Sequence, residues 1–339
     1  MTLTHPEWDK ETSGLAVAEA FSKNIAGKNV LITGVSLESI GSSTAFAIAS
    51  QSPGILILAS RTQSKLEQVV QKIHDAYPAV NVKTVLLDLM SQESVKAAAE
   101  EIKGLTSKLD IIINNAGMMT PERTYTKEGI EGQFGLNHIG HFLFTNLLMP
   151  LLVESARTSP SGATRVINLS SLGHRLSPIR FHDYNFEGKE IPDEEKPPAG
   201  LSPAFLEVKE GEGAYNGYIS YGQAKTANLL FSVYLTEHLK KDGILSYAVH
   251  PGSIWTGLVR NLDPDGEQVI RNTSPFWKTG DQGSSTTLVG AFDPTLSKPQ
   301  GIFLHDCQLF DAAPHATDLK VAERLWRLSE TLVKREFKL

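Results

Sequence analysis

Short runs of β-branched and other apolar residues alternate along this chain with longer, helix-like stretches. The runs KNVLIT (28–33), GILILA (54–59), NVKTVLL (81–87), LDIIIN (109–114), TRVINLS (164–170), ILSYAV (244–249) and GIFLHD (301–306) predict about seven strands. Continuous apolar runs of this length suit strands buried on both faces, as in a parallel sheet under helices. Helices are predicted over 42–51, 63–76, 91–105, 130–154 and 220–240. Strand–helix alternation of this kind predicts a doubly wound α/β fold with right-handed crossovers and helices on both faces. One domain spans 27–339, preceded by a helical extension over 1–26.

Two stretches break the rhythm. Residues 173–219 are rich in Pro, Gly and acids, and are too long for a plain connection in a compact domain. They are either a solvated excursion or a flap over a site: the acidic centre points to the first, and Phe181, Tyr184 and Phe186 to the second. A second irregular region, 252–285, holds Trp255, Phe276 and Trp277. At the N-terminus, Ser13 and Gly14 open a short helix running to Ile25 that packs on the outside of the domain. Charges are scattered through residues 1–29, so no signal peptide or membrane span is expected, and a cytoplasmic protein is the default.

Composition narrows the partners. With 41% apolar and 21% charged residues, 339 residues can build a sizeable core. The net charge of −6 argues against a nucleic-acid partner. The lone cysteine, Cys307, forms no internal disulfide and reads as a buried structural residue.

The chemistry starts at TGVSLESIG (33–41), a loop between the first strand and the first core helix. In a dinucleotide-binding turn an early glycine permits the bend and a late one lets helix and strand pack closely, while the helix N-terminus offers N–H groups to pyrophosphate. Gly34 and Gly41 suit those roles, and Ser42 and Ser43 add hydroxyls or simply cap the helix. Arg61, after the second strand, stands where an NAD enzyme carries an acid, and it suits a 2′-phosphate. NADP(H) is therefore expected over NAD(H). Asp88 either meets adenine or caps the helix near Ser91. Asn114, Ala116 and Gly117 end the fourth strand with small residues that admit a cofactor. Tyr221 and Lys225 are four apart on a helix and share a face. A nearby ammonium is expected to draw the phenol pKa down toward neutrality. Ser171, ending the fifth strand, either holds a substrate oxygen beside that phenol or forms a turn.

With NNAG (114–117), FGLNHIGHFLFTNLL (134–148), RVINLSSLGH (165–174), YGQAKTANLLF (221–231) and HPGSIWT (250–256) following the TG…G turn in order, the chain resembles the short-chain dehydrogenase/reductase family, in its retinol-dehydrogenase-like and fungal reductase branch. The resemblance covers roughly residues 27–306. It implies a Rossmann-type fold and a catalytic tetrad of Asn137, Ser171, Tyr221 and Lys225. Tyr221 would be the acid/base, Ser171 the substrate-oxygen partner, preferred over Ser170, and Lys225 the holder of the nicotinamide ribose. Asn137 would fix a water beside Lys225. The implied cofactor set is Gly34, Ser36, Ser39, Ile40, Gly41, Arg61, Asp88, Leu89, Asn114, Ala116, Gly117, Tyr221, Lys225, Pro251, Gly252, Ile254 and Thr256. The implied partner is a small carbonyl or alcohol substrate within a secondary-metabolite pathway; Trp255, Phe276 and Trp277 of 252–285 either point to a lipophilic substrate or fill the core. Relatives often pair through their late helices, which leaves a homo-oligomer open, although the long insert could block that surface. His138 and His141 flank Asn137 without further ligand residues, so packing rather than metal binding is expected.

Three departures stand out. The first loop is a residue longer than the usual turn and places Glu38 and Ser39 where a fungal subgroup has glycines. Ala224 replaces a serine common before the lysine. The stretch from Ser171 to Tyr221 far exceeds that of compact members, so 173–219 reads as an added element near the substrate mouth. Glu38 would repel pyrophosphate unless it faces outward or pairs with Arg61. The altered loop also leaves room for a binding or regulatory scaffold, or for a non-redox isomerase or cyclase that uses the cofactor structurally; the complete tetrad opposes the first of these.

Overall fold

The apolar runs do become strands, and their alternation decides which core each side chain enters. The computed structural model describes residues 2–206, 213, 215–255, 257, 262, 264–299 and 301–339. Among them, strands β1 Asn29–Thr33, β2 Ile55–Ser60, β3 Val82–Leu86, β4 Ile111–Asn114, β5 Thr164–Leu169, β6 Ile244–His250, β7 Phe303–His305 and β8 Gln308–Leu309 form one sheet in the order β3-β2-β1-β4-β5-β6-β7-β8. All pairings are parallel except the last, β7 with β8. In β1, Val30 and Ile32 enter one core and Leu31 the other, the period of two expected of a strand buried on both faces.

The helices are α1 Gly14–Ala20, α2 Ser22–Ile25, α3 Ile40–Ala49, α4 Gln63–Ala76, α5 Gln92–Leu105, α6 Gly132–Phe134, α7 His141–Thr158, α8 Gly217–Leu239, α9 Pro264–Arg271, α10 Gly280–Phe292 and α11 Leu319–Val333. One face of the sheet carries α1, α3, α4 and α10, through Val17, Ile48, Leu66, Ile73 and Val289. The other carries α5, α7, α8 and α11, through Val95, Ile102, Phe142, Leu230 and Trp326. This is the doubly wound Rossmann-type arrangement expected.

Several boundaries moved for local reasons. Helix α3 begins two residues early because Ser39, not Ser42 or Ser43, is its N-cap, accepting from Ser42 N. The predicted helix 130–154 is broken at its start: a π-helical stretch, Gly135–Gly140, joins α6 to α7. The run Gly132–Thr158 is long and apolar enough to cross a membrane, but 78% of its most apolar window is buried inside the fold, so its composition answers to the core. The extension over 1–26 is less peripheral than expected, since Val17, Ala18, Phe21 and Ile25 are buried in the α3/α10 core. Hairpin β7–β8 turns through Asp306 and Cys307, both at positive φ. Cys307 is buried and hydrogen-bonded to Ser285, as a structural cysteine.

The described part of 173–219 is folded onto the domain. Phe186 is buried with Tyr215 and Ile219, and Phe181 and Tyr184 pack on the main core. Gln223 of α8 accepts from Arg180 N (2.9 Å) and donates to Tyr184 O (3.0 Å). Its aromatics are therefore covered, while Asp193 and Glu194 stay exposed.

Candidate active site

The strand order reverses between β1 and β4, and in open α/β sheets that switch point is where a crevice opens at the carboxyl ends of the strands. Gly34 leaves β1 there at φ 73°, and a Cβ on it would lie 2.5 Å from Ala116 Cα. A Cβ on Gly41 would lie 2.6 Å from Asn115 Nδ2 and 2.9 Å from Gly34 O, so both glycines are required by close approach. Between them, Ser39 Oγ donates to Ser36 O (2.7 Å) and accepts from Ser42 N (3.1 Å), which closes the longer loop into a capped turn. Glu38 is exposed at φ 60° in that turn. Among the described residues no ion pair joins it to Arg61.

A cleft of about 550 Å³ runs from this loop to Tyr221, a volume suited to a cofactor-sized molecule. Of the residues expected at the cofactor, Gly34, Ser36, Ser39, Ile40, Arg61, Leu89, Ala116, Gly117, Tyr221, Lys225 and Pro251 line it. Several do not. Asn114 is buried in the sheet, where Nδ2 donates to Thr145 Oγ1 (2.9 Å) and Asn168 Oδ1 (2.8 Å), and its neighbour Asn115 takes the place on the wall. Asp88 accepts from Met90 N (3.0 Å) and lies off the cleft, and the α5 cap is Ser91. Gly41 acts by close packing. Gly252, at φ 96°, and Ile254 lie behind the wall: Gly252 passes Lys278 and Ile254 pairs with it. Thr256 lies outside the described residues.

Sequence reading missed Lys65, Thr62, Leu87 and Leu136, which also line the cleft. Lys65 had a signal, standing four residues after Arg61 at the start of α4. Trp255, expected at the substrate, lines the cleft with Arg271 stacked on its ring at 3.8 Å.

At the far end of the cleft, α8 presents Tyr221 and Lys225 on one face, as the spacing predicted. Gly173 allows the phenol in, since a Cβ there would lie 3.0 Å from Tyr221 Cε1. Ser171 lies two residues past the end of β5, with its Oγ accepting from Gly173 N (3.0 Å) beside the Tyr221 ring. Ser170 lines the cleft, and its Oγ donates to Lys225 O (2.7 Å). Lys225 Nζ donates to Leu169 O (2.9 Å). The electrostatics differ from expectation. Burial pushes the Tyr221 phenol up to about 12, with the Ser171 hydrogen bond opposing it, and burial pushes Lys225 down to about 7. Desolvation outweighs any pull of the ammonium on the phenol.

Asn137 lies in the π stretch, where Nδ2 donates to Met118 O (2.9 Å) and Oδ1 accepts from Met118 N (2.8 Å). One N–H and the oxygen of its side chain therefore meet the backbone of Met118, which clasps the π turn to the β4 exit and leaves the second N–H of the amide uncommitted. Its main-chain O accepts from His141 Nδ1 (3.0 Å). Thr33 Oγ1 accepts from Asn115 N and Ala116 N (3.0 Å each), so its own proton goes to His141 Nε2 (2.8 Å). Burial holds His141 near 4 and His138 near 3, both neutral, and His138 Nε2 meets Ser329 Oγ (2.8 Å) of α11. Among the described residues no group of His, Cys, Asp and Glu is arranged to hold a metal.

Comparison with known proteins identifies the family. The family described as short chain dehydrogenase matches residues 28–185. The chain is 37% identical to oxidoreductase fscI of Fusarium equiseti over 73% of its own length and 95% of that protein. It is 35% identical to retinol dehydrogenase 12 of Mus musculus over 90% of its length and 86% of that protein. Among solved structures, a crystal structure of an uncharacterized protein from Mycobacterium paratuberculosis superposes with TM-score 0.65 at 28% identity, covering 93% of this chain and 96% of that one. The chain belongs to the short-chain dehydrogenase family, in its retinol-dehydrogenase-like branch, and is an oxidoreductase by that membership.

Proposed function

We propose that this protein interconverts a carbonyl and an alcohol on a lipophilic small molecule, using NADP(H) in preference to NAD(H). The carrying observation is the pair Tyr221 and Lys225 at the end of a cofactor-sized cleft, with Ser171 Oγ and the Tyr221 ring both against Gly173 and the phenol held neutral by burial. The residues fit a nicotinamide dinucleotide: the glycine turn leaves room at β1, and the first turn of α3 faces the cleft. Arg61 and Lys65 stand on the cleft wall where a 2′-phosphate would be recognised.

When bound, the nicotinamide supplies or accepts the hydride at the substrate carbon. Ser171 Oγ orients the substrate oxygen, and the Tyr221 hydroxyl, neutral across the physiological range, gives that oxygen its proton as the carbonyl is reduced. Lys225 holds the ribose side of the site. Trp255, 39% exposed, offers an apolar wall, and the mouse relative is named for a lipophilic alcohol, retinol.

NADPH consumption with a panel of ketones and aldehydes tests the reading. Tyr221→Phe is expected to lower kcat by about 10²–10⁴-fold, the usual span for a positioned acid, with NADPH binding retained. Arg61→Ala is expected to weaken NADPH binding by about tenfold, the scale of one charge-assisted contact, and leave NADH binding unchanged. Purified protein that neither binds nor oxidises NADPH would sink the proposal.

A further inference from the structure

The C-terminal segment 311–316 reaches the catalytic end of the cleft through one imidazole. Ser171 caps the 3₁₀ turn Leu172–Leu176, and His174 lies inside that turn, fully buried. His174 Nδ1 is 2.6 Å from Ser171 O, and Nε2 is 3.0 Å from Ala313 N. A backbone N–H only donates, so Nε2 is the bare nitrogen and Nδ1 carries the proton given to Ser171 O. The same turn is held by two further contacts from the segment. His315 Nε2 donates to His174 O (2.9 Å), and the Arg175 guanidinium donates to Asp311 O. Phe303 of β7 packs edge-on against the ring at 5.1 Å.

None of these C-terminal residues lines the cleft, yet the turn they hold places two atoms that matter. Gly173 N fixes the Ser171 hydroxyl, and Gly173 itself abuts the Tyr221 ring. From this geometry we infer that His174 is a positioning residue, a neutral strut between the Ser171 backbone and the Ala313 amide, through which segment 311–316 sets where Ser171 Oγ meets Tyr221. The inference rests on the roles given to Ser171 and Tyr221 under the proposed function.

The surroundings keep the strut in its working form. Arg175 and His315 face the ring, and His250 of β6 lies near it. Burial, reinforced by Arg175 and His315, holds the imidazole near 4 against the Ser171 hydrogen bond. A second proton on Nε2 would set N–H against the Ala313 N–H.

The two ends of the strut can be cut separately. Ala313 has φ −63°, which proline adopts, so Ala313→Pro removes the donated N–H. His174→Asn keeps a donor near Ser171 O and loses the acceptor for Ala313, and His174→Gln does the reverse. Misplacing a reacting group by about 1 Å costs up to ~10²-fold. Each variant is therefore expected to lower kcat about tenfold while the NADPH Kd stays within about twofold. The Ala313→Pro/His174→Asn double variant should be no worse than either single one. In Ala313→Pro the freed Nε2 takes a proton more readily, so the acidic limb of the kcat profile moves toward neutrality.

Unchanged kcat and pH profile in all three variants would overturn the inference, as would a joint fall of kcat, NADPH affinity and Tm. If Ala313→Pro does not accumulate, His174→Asn carries the same turnover and binding measurements. Imidazole ¹⁵N shifts of the wild-type protein test the strut without turnover: a proton on Nδ1 supports it, and a proton on Nε2 overturns it. Wild-type protein that turns over no carbonyl defeats the functional reading alone.

Discussion

Glu38 occupies a backbone conformation that glycine would adopt more easily. At φ 60° an L-residue carries a steric penalty of roughly 1–2 kcal/mol, part of which glycine gives back in chain entropy. Glu38 lines the cleft and is exposed there, where water and salt screen its carboxylate. Glu38→Gly is therefore expected to raise stability by about 0.5–1 kcal/mol and to change the NADPH Kd by less than about threefold. A tenfold tightening in titration would show instead that the carboxylate opposes the cofactor.

Lys225 gives a pH dependence with a definite sign. Its folded pKa, about 7, lies below the ordinary 10.5, so between those values the unfolded chain holds a proton that the folded chain lacks. Folding stability linked to this group rises with pH across that window and is lowest below pH 7. Lys225→Met removes the buried charge. Its gain in Tm over the wild type should be largest at pH 6 and shrink toward pH 10; a gain independent of pH would contradict the shift.

At the level of elements, the π stretch between α6 and α7 is tied to the nucleotide turn by a short chain of hydrogen bonds. Thr33, His141 and Asn137 link the end of β1, the exit of β4 and the π stretch that holds Asn137. Thr33→Val keeps the shape but leaves Ala116 N and His141 Nε2 without their partner, while Asn115 N keeps Ile113 O (3.0 Å). Each buried unpaired group costs about 1–3 kcal/mol, so a loss of about 2 kcal/mol or more is expected in urea unfolding. Thr33→Ser should restore most of it.

The sequence anticipated α4 to the residue, because Leu66, Val69 and Ile73 repeat at helical spacing. It did not anticipate α10 or α11, although their signals were present. Thr279 and Gln282 form a capping box, and Ala322, Leu325, Trp326, Ser329 and Val333 repeat on one face. Hairpin β7–β8 carried no signal: its turn, Asp306-Cys307, is not a residue pair that announces positive φ.

Across the whole molecule, α11 closes the core over α7 and α8. Trp326 is stacked on Tyr234 at 4.1 Å and lies edge-on to Phe142 at 4.8 Å. Trp326→Ala is expected to destabilise by about 3–5 kcal/mol through the cavity it leaves. The measurement is the shift in urea midpoint at unchanged m-value, and a shift worth under about 1 kcal/mol would mean the helix is peripheral.

The alternation of strands and helices as far as β6, the glycine turn and the Tyr221–Lys225 face followed from the sequence alone. Period, propensity and fixed spacing are local properties that a chain carries wherever it folds. Tertiary structure decided which of two adjacent residues stands on the cleft wall, Asn115 over Asn114. It also set the protonation of Tyr221, Lys225 and the buried histidines, because desolvation depends on what the rest of the fold packs around each group. The link from Ser171 to Ala313 belongs to the same class, joining residues far apart in the chain that meet only once the sheet has closed.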